Sequence, residues 1–284
     1  MTNLCSLVEQ VMTAVRAAAD SACKASFSIK EKEGESYNIV TSSDIAVQHY
    51  LQKALVELLP GSGFVGEEEG QNANNQEYYW IVDPIDGTTN FARHLQQSSI
   101  SVALAKNKEL LLGVVYNFDR DDMYWAVKDN GAYRNGKKLM VSNKDFSHSI
   151  ICTALCLYRK QFTRVCAEAL VDFHLQCADF RRFGTASLEM SYLGEGNIDG
   201  YFELRLYPWD FAAATVIIRE AGGVVATANW PKDGSLVLSD ELILDRPSTI
   251  IAANNKENLI KISQIVFKHM GTIGQQEYID NISK

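Results

Sequence analysis

The stretch Trp80-Ile81-Val82-Asp83-Pro84-Ile85-Asp86-Gly87-Thr88-Thr89-Asn90-Phe91 holds the residues of this chain best suited to chemistry. An apolar strand delivers Asp83 at its end, Pro84 turns the chain, and Asp86-Gly87-Thr88-Thr89 opens a helical turn. Two carboxylates three residues apart on a tight turn can point into one cleft and share a hard cation. A helix start leaves its first amides without intrahelical acceptors, so the N–H groups of Gly87 and Thr88 are available to an anion. A cation beside anion-binding amides is what phosphoryl chemistry needs. Asp is also an ordinary turn and cap residue, so for this segment alone both readings stand. Glu67 ends another apolar strand, and Asp210 opens a helix beside Trp209. Acids emerging at successive element ends predict one shared pocket.

The elements that must position these acids follow from periodicity. Leu4, Leu7, Val8, Val11, Met12, Val15 and Ala19 make one helical stripe, which predicts a helix over residues ~3–26. The charged segment 30–36 reads as a hairpin tip or solvated loop. Thr41, Ser42 and Ser43 offer N-caps for a second helix that Pro60-Gly61 stops. Strands are predicted around 64–65, 79–82, 99–105, 111–117 and 123–127, with a loop over 71–77 and turns at Asn130-Gly131 and Asn135-Gly136. Beyond these come an apolar stretch over 150–157, a helix over 162–175, a strand over 180–183 and a helix through Tyr192. A strand over 200–206 leads to Pro208 and a helix over 209–220, closed by Gly222-Gly223. Strands at 223–226, 236–238 and 249–252 precede a last helix over 257–269. The division expected is an N-terminal α+β subdomain, 1–145, carrying the acid-rich turn, and a C-terminal subdomain, 146–284, completing the site as one structural unit.

The 284 residues are 46% hydrophobic, enough for a substantial core, and carry a formal net charge of −8. That charge argues against a nucleic-acid duplex as partner, because binding its phosphates needs a basic face. An acidic chain that handles phosphate must reverse its own field locally, which carboxylate-held cations do. No secretory signal or membrane-length apolar run is visible. The cysteines Cys5, Cys23, Cys152, Cys156, Cys166 and Cys177 form no CxxC pair, and His49, His94, His148, His174 and His269 have no metal-ligand spacing. Cys152 and Cys156 could share a helix face, but buried thiols are the better reading. A reducing, cytoplasmic setting is expected.

Gly66-Glu67-Glu68, Asp83 through Phe91, and Pro208-Trp209-Asp210 followed by Ala221-Gly222-Gly223 resemble the successive signatures of the inositol monophosphatase family. Val40-Thr41-Ser42-Ser43-Asp44 and Gly184-Thr185-Ala186 match it as well, and the resemblance spans roughly residues 1–255. It implies an α+β fold, a layered α/β/α/β/α sandwich of the inositol monophosphatase and fructose-1,6-bisphosphatase type. It also implies a Mg²⁺-dependent phosphomonoesterase that hydrolyses a small phosphorylated polyol, inositol monophosphate first among them, with metal-activated water. By the same resemblance Glu67, Asp83 and the Ile85 carbonyl would hold one Mg²⁺, and Asp83, Asp86 and Asp210 a second. A third, weaker ion would lean on Glu67. Thr88 with Asp44 would orient the attacking water, and the Gly87 and Thr88 amides would grip the phosphate. Gly184, Thr185, Ala186 and Glu203 would face the substrate, with Glu203 bonding its hydroxyls. The ligands are oxygens alone, which favours Mg²⁺ over zinc. A small phosphorylated metabolite as partner, a homodimer and lithium sensitivity are expected on the same ground.

The chain departs from the pattern at two places. Residues 93–98 follow the turn where relatives often place Gly and Pro, and Arg205 stands two residues after Glu203 where inositol-type members often carry Gly. A guanidinium there favours a second anionic group on the substrate, or else pairs with a nearby acid. Fructose bisphosphatase, adenosine 3',5'-bisphosphate phosphatase and histidinol-phosphate phosphatase share the metal turn and differ on the substrate side. The haloacid dehalogenase mechanism needs an Asp nucleophile where this chain has Pro84, and it fails. A non-catalytic binding protein on this fold would be marked by loss of a ligand, yet Glu67, Asp83, Asp86 and Asp210 are all present.

Overall fold

A computed structural model describes residues 3–22, 26–32, 35–68, 76–156, 159–229, 236–271 and 273. The chain opens with α1 (Leu4–Ala22), β1 (Ile29–Lys32), β2 (Glu35–Thr41), α2 (Ser42–Leu58), β3 (Gly63–Gly66), β4 (Tyr78–Asp86) and α3 (Thr88–Ala92). There follow β5 (Ser99–Lys106), β6 (Glu109–Asn117), β7 (Asp122–Val127), β8 (Ala132–Arg134), β9 (Lys137–Lys138) and β10 (Ile150–Thr153). Then come α4 (Thr163–Gln176), β11 (Asp179–Arg181), α5 (Ala186–Gly194), β12 (Gly200–Leu206) and α6 (Pro208–Glu220). Last are β13 (Val224–Asn229), β14 (Val237–Ser239), β15 (Ser248–Ala253) and α7 (Lys256–Met270). Residues 33–34 of the segment 30–36 expected as a hairpin tip or loop, residues 71–75 of the loop expected over 71–77, and Cys23 lie outside the described residues.

The chain forms two compact units, and neither is one continuous segment. The first comprises 1–139, 184–191 and 209–220, and the second 140–183, 192–208 and 221–284. In the first, a seven-stranded sheet runs β3-β4-β5-β6-β7-β8-β9, antiparallel throughout except for the parallel β3–β4 pair. Alternate residues of a strand face opposite sides. Trp80 and Val82, with Ile100, Val102, Leu104, Leu112 and Val114, pack against Leu7, Val11 and Val15 of α1 and Val47, Leu51 and Leu55 of α2. The opposite face takes α6 at Gly113, where a Cβ would stand 2.2 Å from the Ala213 carbonyl oxygen. Asn135-Gly136 makes the β8–β9 hairpin with positive φ at both positions (47° and 81°). The β5–β6 turn does the same with Asn107 and Lys108, where no glycine announces it.

The second unit holds a six-stranded sheet, β11-β10-β12-β15-β13-β14, in which β10 runs parallel to β11 and β12 and the remaining pairs are antiparallel. Its core gathers Phe162, Cys166 and Phe173 with Phe202, Leu204, Ile251 and Ile262. The apolar stretch from Ile150 keeps strand form only to Thr153, and Cys156 adopts φ 50°. Cys152 therefore sits on a strand, not on a helix face with Cys156, and both thiols are buried. Among the described residues no helix is long and apolar enough to cross a membrane. Mixed sheets with helices make this the α+β class that the resemblance implies.

Candidate metal and phosphate site

The acid-rich turn is a bulged strand. β4 does not stop at Asp83 but pairs with β5 as far as Asp86, with Asp83 opposite Ser101 and Asp86 opposite Ser99. The slip in register falls at Pro84-Ile85, and Pro84, which has no N–H to give a ladder, is tolerated at such a bulge. In an even strand, residues three apart face opposite sides. Here Ser99 and Ser101 share one face, so their partners Asp86 and Asp83 share it too. That face is the one opposite α1 and α2, because Asp83 alternates with Val82. The two serines also anchor what lies there: Ser101 Oγ donates to the Trp209 carbonyl at 3.1 Å, and Ser99 Oγ lies 2.8 Å from Ser187 Oγ. Asp210, half-buried, stands in the first turn of α6, which begins at Pro208 where a missing N–H costs nothing.

The two carboxylates of the bulge differ in their partners. Asp86 Oδ2 accepts from Thr185 Oγ1 (2.8 Å), the Ser187 amide (2.7 Å) and Ser187 Oγ (2.6 Å). Burial raises its pKa and these hydrogen bonds oppose the rise. Asp83 is 2% exposed, and its Oδ1 is buried without a hydrogen-bond partner. Burial, followed by the charges of Glu67, Asp86, Asp210 and Asp44, holds its pKa well above the ordinary carboxylate range. A buried carboxylate oxygen without a hydrogen-bond partner, set amid four other acids, suits a cation.

Asp44, fully buried in the first turn of α2, forms a capping box with Thr41: Oδ2 accepts from the Thr41 amide and hydroxyl. Its other oxygen, Oδ1, lies 3.2 Å from Thr88 Oγ1, which is also 3.1 Å from the Ile85 carbonyl oxygen. Burial pushes the Asp44 pKa up to about 6 against the Thr41 hydrogen bonds. Gly87, at φ 83°, is the N-cap of α3 and supplies no side chain to close the first amides of the helix. Its conformation suits glycine, and a Cβ there would meet the Gln97 carbonyl oxygen at 2.9 Å.

Glu67 and Glu68 leave the end of β3, and Lys32 of β1 reaches both, at 2.9 and 2.6 Å. Burial pushes Glu68 up to about 7, Glu67 adding to the rise and Lys32 opposing it. Gln48, one turn along α2 from Asp44, accepts from the Glu68 amide at 2.9 Å. Gly184, at φ 82°, offers its carbonyl to Asn90 Nδ2 at 3.4 Å, and its amide donates to Glu189 at 2.9 Å. Ala186 begins α5. The first unit thus contains every predicted metal-ligating residue, with Asp44, Thr88, Gly87, Gly184, Thr185 and Ala186. Glu203 belongs to the second unit, where it accepts from the Tyr201 hydroxyl at 2.7 Å.

Residue patterns alone miss Ser187, Lys32 and Gln48. Ser187 had a signal: it stands one residue into a helix start after Gly184-Thr185-Ala186, where donors converge on an anion. Lys32 had none, because a lysine in a run of charges reads as surface. Among the described residues no three His, Cys, Asp or Glu side chains are drawn into a finished ligand cage. The fit to a hard cation rests instead on the orphaned Asp83 oxygen and on an all-oxygen donor set in which Lys32 is the cation at Glu67.

Known proteins resemble this chain in sequence and fold. The inositol monophosphatase family profile matches residues 2–268. The Nus factor SuhB of Escherichia coli K12 is 31% identical over 235 residues, covering 81% of this chain and 87% of SuhB. Among solved structures, the extragenic suppressor protein SuhB of Bartonella henselae is 26% identical at a TM-score of 0.79, over 94% of this chain and 99% of that one. The IMPase of Thermotoga maritima is 25% identical at a TM-score of 0.77, with the same coverage of each. A match across nearly the whole length, on a fold that puts Asp83 and Asp86 on one buried face, makes this chain a member of the inositol monophosphatase family.

Proposed function

We propose that the chain is a Mg²⁺-dependent phosphomonoesterase acting on a small phosphorylated polyol, with inositol monophosphate as the reference substrate. The observation that carries this is the buried, unpartnered Asp83 Oδ1 surrounded by Glu67, Asp86, Asp210 and Asp44, beside the Asp44–Thr88 pair. Glu67, Asp83 and the Ile85 carbonyl would hold one ion, Asp83, Asp86 and Asp210 a second, and Glu67 a third. Bound there, Mg²⁺ supplies charge neutralisation and makes water a nucleophile at neutral pH. Asp86 gives its Oδ2 to Thr185 and Ser187, which leaves Oδ1 as its ligand atom.

The chain's own groups position the rest. Thr41 pins Asp44 Oδ2, so Oδ1 is the fixed acceptor for the Thr88 hydroxyl proton. Thr88, donating to Asp44, presents its lone pairs to an attacking water and passes a proton along that line. A base near pH 6 suits this task, since general bases work best with a pKa near the operating pH. The Gly87 and Thr88 amides orient the phosphate, and Thr185 is held by Asp86 at the same face. Glu203 as a partner for substrate hydroxyls, and the second unit as completing the site, belong to the same proposal.

A second reading has its own observation: relatives named Nus factor point to a partner-binding role for this fold. Phosphate release from inositol 1-phosphate, fructose 1,6-bisphosphate, adenosine 3',5'-bisphosphate and histidinol phosphate, with and without Mg²⁺, separates the two. Metal-dependent turnover of any one supports the enzyme and selects its substrate. Silence across the panel shifts the reading to binding.

A further inference from the structure

β12 divides its side chains between two environments. Phe202 and Leu204 enter the apolar core of the second unit. Tyr201 and Glu203 alternate with them, Tyr201 donating to Glu203 at 2.7 Å; beyond the shift in register with β15, Arg205 Nη2 donates at 2.8 Å to the hydroxyl of Tyr207, the residue after the strand. The Arg205 guanidinium also lies 4.7 Å from the centre of the Tyr207 ring. Tyr207 therefore gives it a neutral oxygen and a ring face, but no counter-charge. Arg205 is 7% exposed, and its Nε is buried with no hydrogen-bond partner.

A guanidinium is always charged and carries five donors in a planar fork. Burying one beside a phenol, with its Nε unspent and no ion pair to a carboxylate among the described residues, is costly unless an anion completes the set. The pairing with β15 shifts register between Glu203 and Leu206, so Arg205 stands at an irregularity in the ladder. Cys156 reports the same neighbourhood: burial raises its thiol pKa, Glu203 adds to the rise, and Arg205 opposes it.

We infer that Arg205 and Tyr207 form an anion-binding site in the second unit, one that takes a small phosphate or carboxylate in a forked contact with the guanidinium. The anion has two possible sources, a second acidic group carried by the substrate or a free anion acting as a separate ligand. Glu203, two residues away, is the residue that the family resemblance assigns to substrate hydroxyls. The substrate as source thus rests on the proposed phosphatase reading, whereas the site itself does not.

The test titrates inorganic phosphate, fructose 1,6-bisphosphate and inositol 1-phosphate into the metal-free full chain by calorimetry. Without metal the acid cluster of the first unit repels anions, so binding reports on Arg205. Wild type binds phosphate and the bisphosphate, R205Q weakens both at least tenfold, and R205K gives a partial loss. R205K also keeps the charge if R205Q does not fold, which a thermal melt of each variant checks. No anion binding by wild type, or equal binding by wild type and a folded variant, overturns the site. With Mg²⁺ present, kcat/KM for the bisphosphate relative to inositol 1-phosphate then separates the sources. A ratio that falls at least tenfold in R205Q, mostly through KM, assigns the anion to the substrate; an unmoved ratio with intact anion binding assigns a separate ligand. Turnover of neither compound, with Arg205-dependent binding retained, rejects the phosphatase reading and leaves the site standing.

Discussion

Asp83 sits buried among other acids in the first unit. Its pKa is raised by burial and by the charges of Glu67, Asp86, Asp210 and Asp44, so its folded value exceeds that of an unfolded carboxyl, about 4. A raised pKa means that the folded state holds the proton more tightly. The associated stability is present in full below about pH 4 and is lost as pH rises through the raised value. As pH rises from about 4 the metal-free protein loses this stability, and a cation offsets the loss by binding the folded state. Asp83→Asn removes the charge and keeps the shape. Its thermal midpoint without metal at pH 7 is expected to exceed that of wild type, and it should gain less than wild type when Mg²⁺ is added. A lower metal-free midpoint would show that Asp83 is satisfied without a cation. At this scale the sequence was most legible where types and spacing are rare: Asp83, Asp86, Glu67 and Asp210 stand out because each follows an apolar run or opens a helix. Lys32 and Gln48 do not, since their importance comes from what folding sets against them.

Elements were legible in their cores and less so at their ends. The buried strand 79–82 and the amphipathic first helix follow from period and composition, and both lie where expected. The continuation of β4 through Asp86 was not visible, because Pro84 marks a turn locally while pairing with β5 overrides it as a bulge. The β5–β6 turn escaped notice for the same kind of reason, with Asn107 and Lys108 in left-handed conformation imposed by the strands they join. The helix that carries Asp210 is seated by contact as much as by sequence. At Gly113 the backbone of β6 approaches that of Ala213 on α6 so closely that a Cβ would stand 2.2 Å from a carbonyl oxygen. Gly113→Ala must push α6 outward, at a cost of about 1–3 kcal/mol for overpacking. Because Asp210 rides on that helix, the variant is expected to bind Mg²⁺ more weakly as well as unfold earlier. Calorimetric titration below its melting point checks this, and unchanged affinity would uncouple the seat of α6 from the metal ligands.

At the scale of the whole molecule, the acid cluster depends on chain order that no local pattern reveals. The first unit takes 184–191 and 209–220 from beyond its main segment, and these short insertions bring Thr185, Ser187 and Asp210 to the strand that carries Asp83 and Asp86. Motifs appearing in order along the chain pointed to a shared site; the bulge, the two serine anchors and the cap at Asp44 are what holds these residues in the first unit. The net charge of −8 accords with the proposed role of this cluster, since cations held by carboxylates reverse the field of an acidic protein locally. Membership of the inositol monophosphatase family fixes the fold, while the reaction rests on the carboxylates. The most direct test is therefore phosphate release from inositol 1-phosphate by wild type and Asp83→Asn, each with and without Mg²⁺. Release by wild type that requires Mg²⁺ and falls at least a thousandfold in a folded Asp83→Asn, roughly 4 kcal/mol of transition-state stabilisation, is the expected result. Release that ignores the metal, or an Asp83→Asn protein as active as wild type, would contradict the assignment of these acids to phosphoryl chemistry.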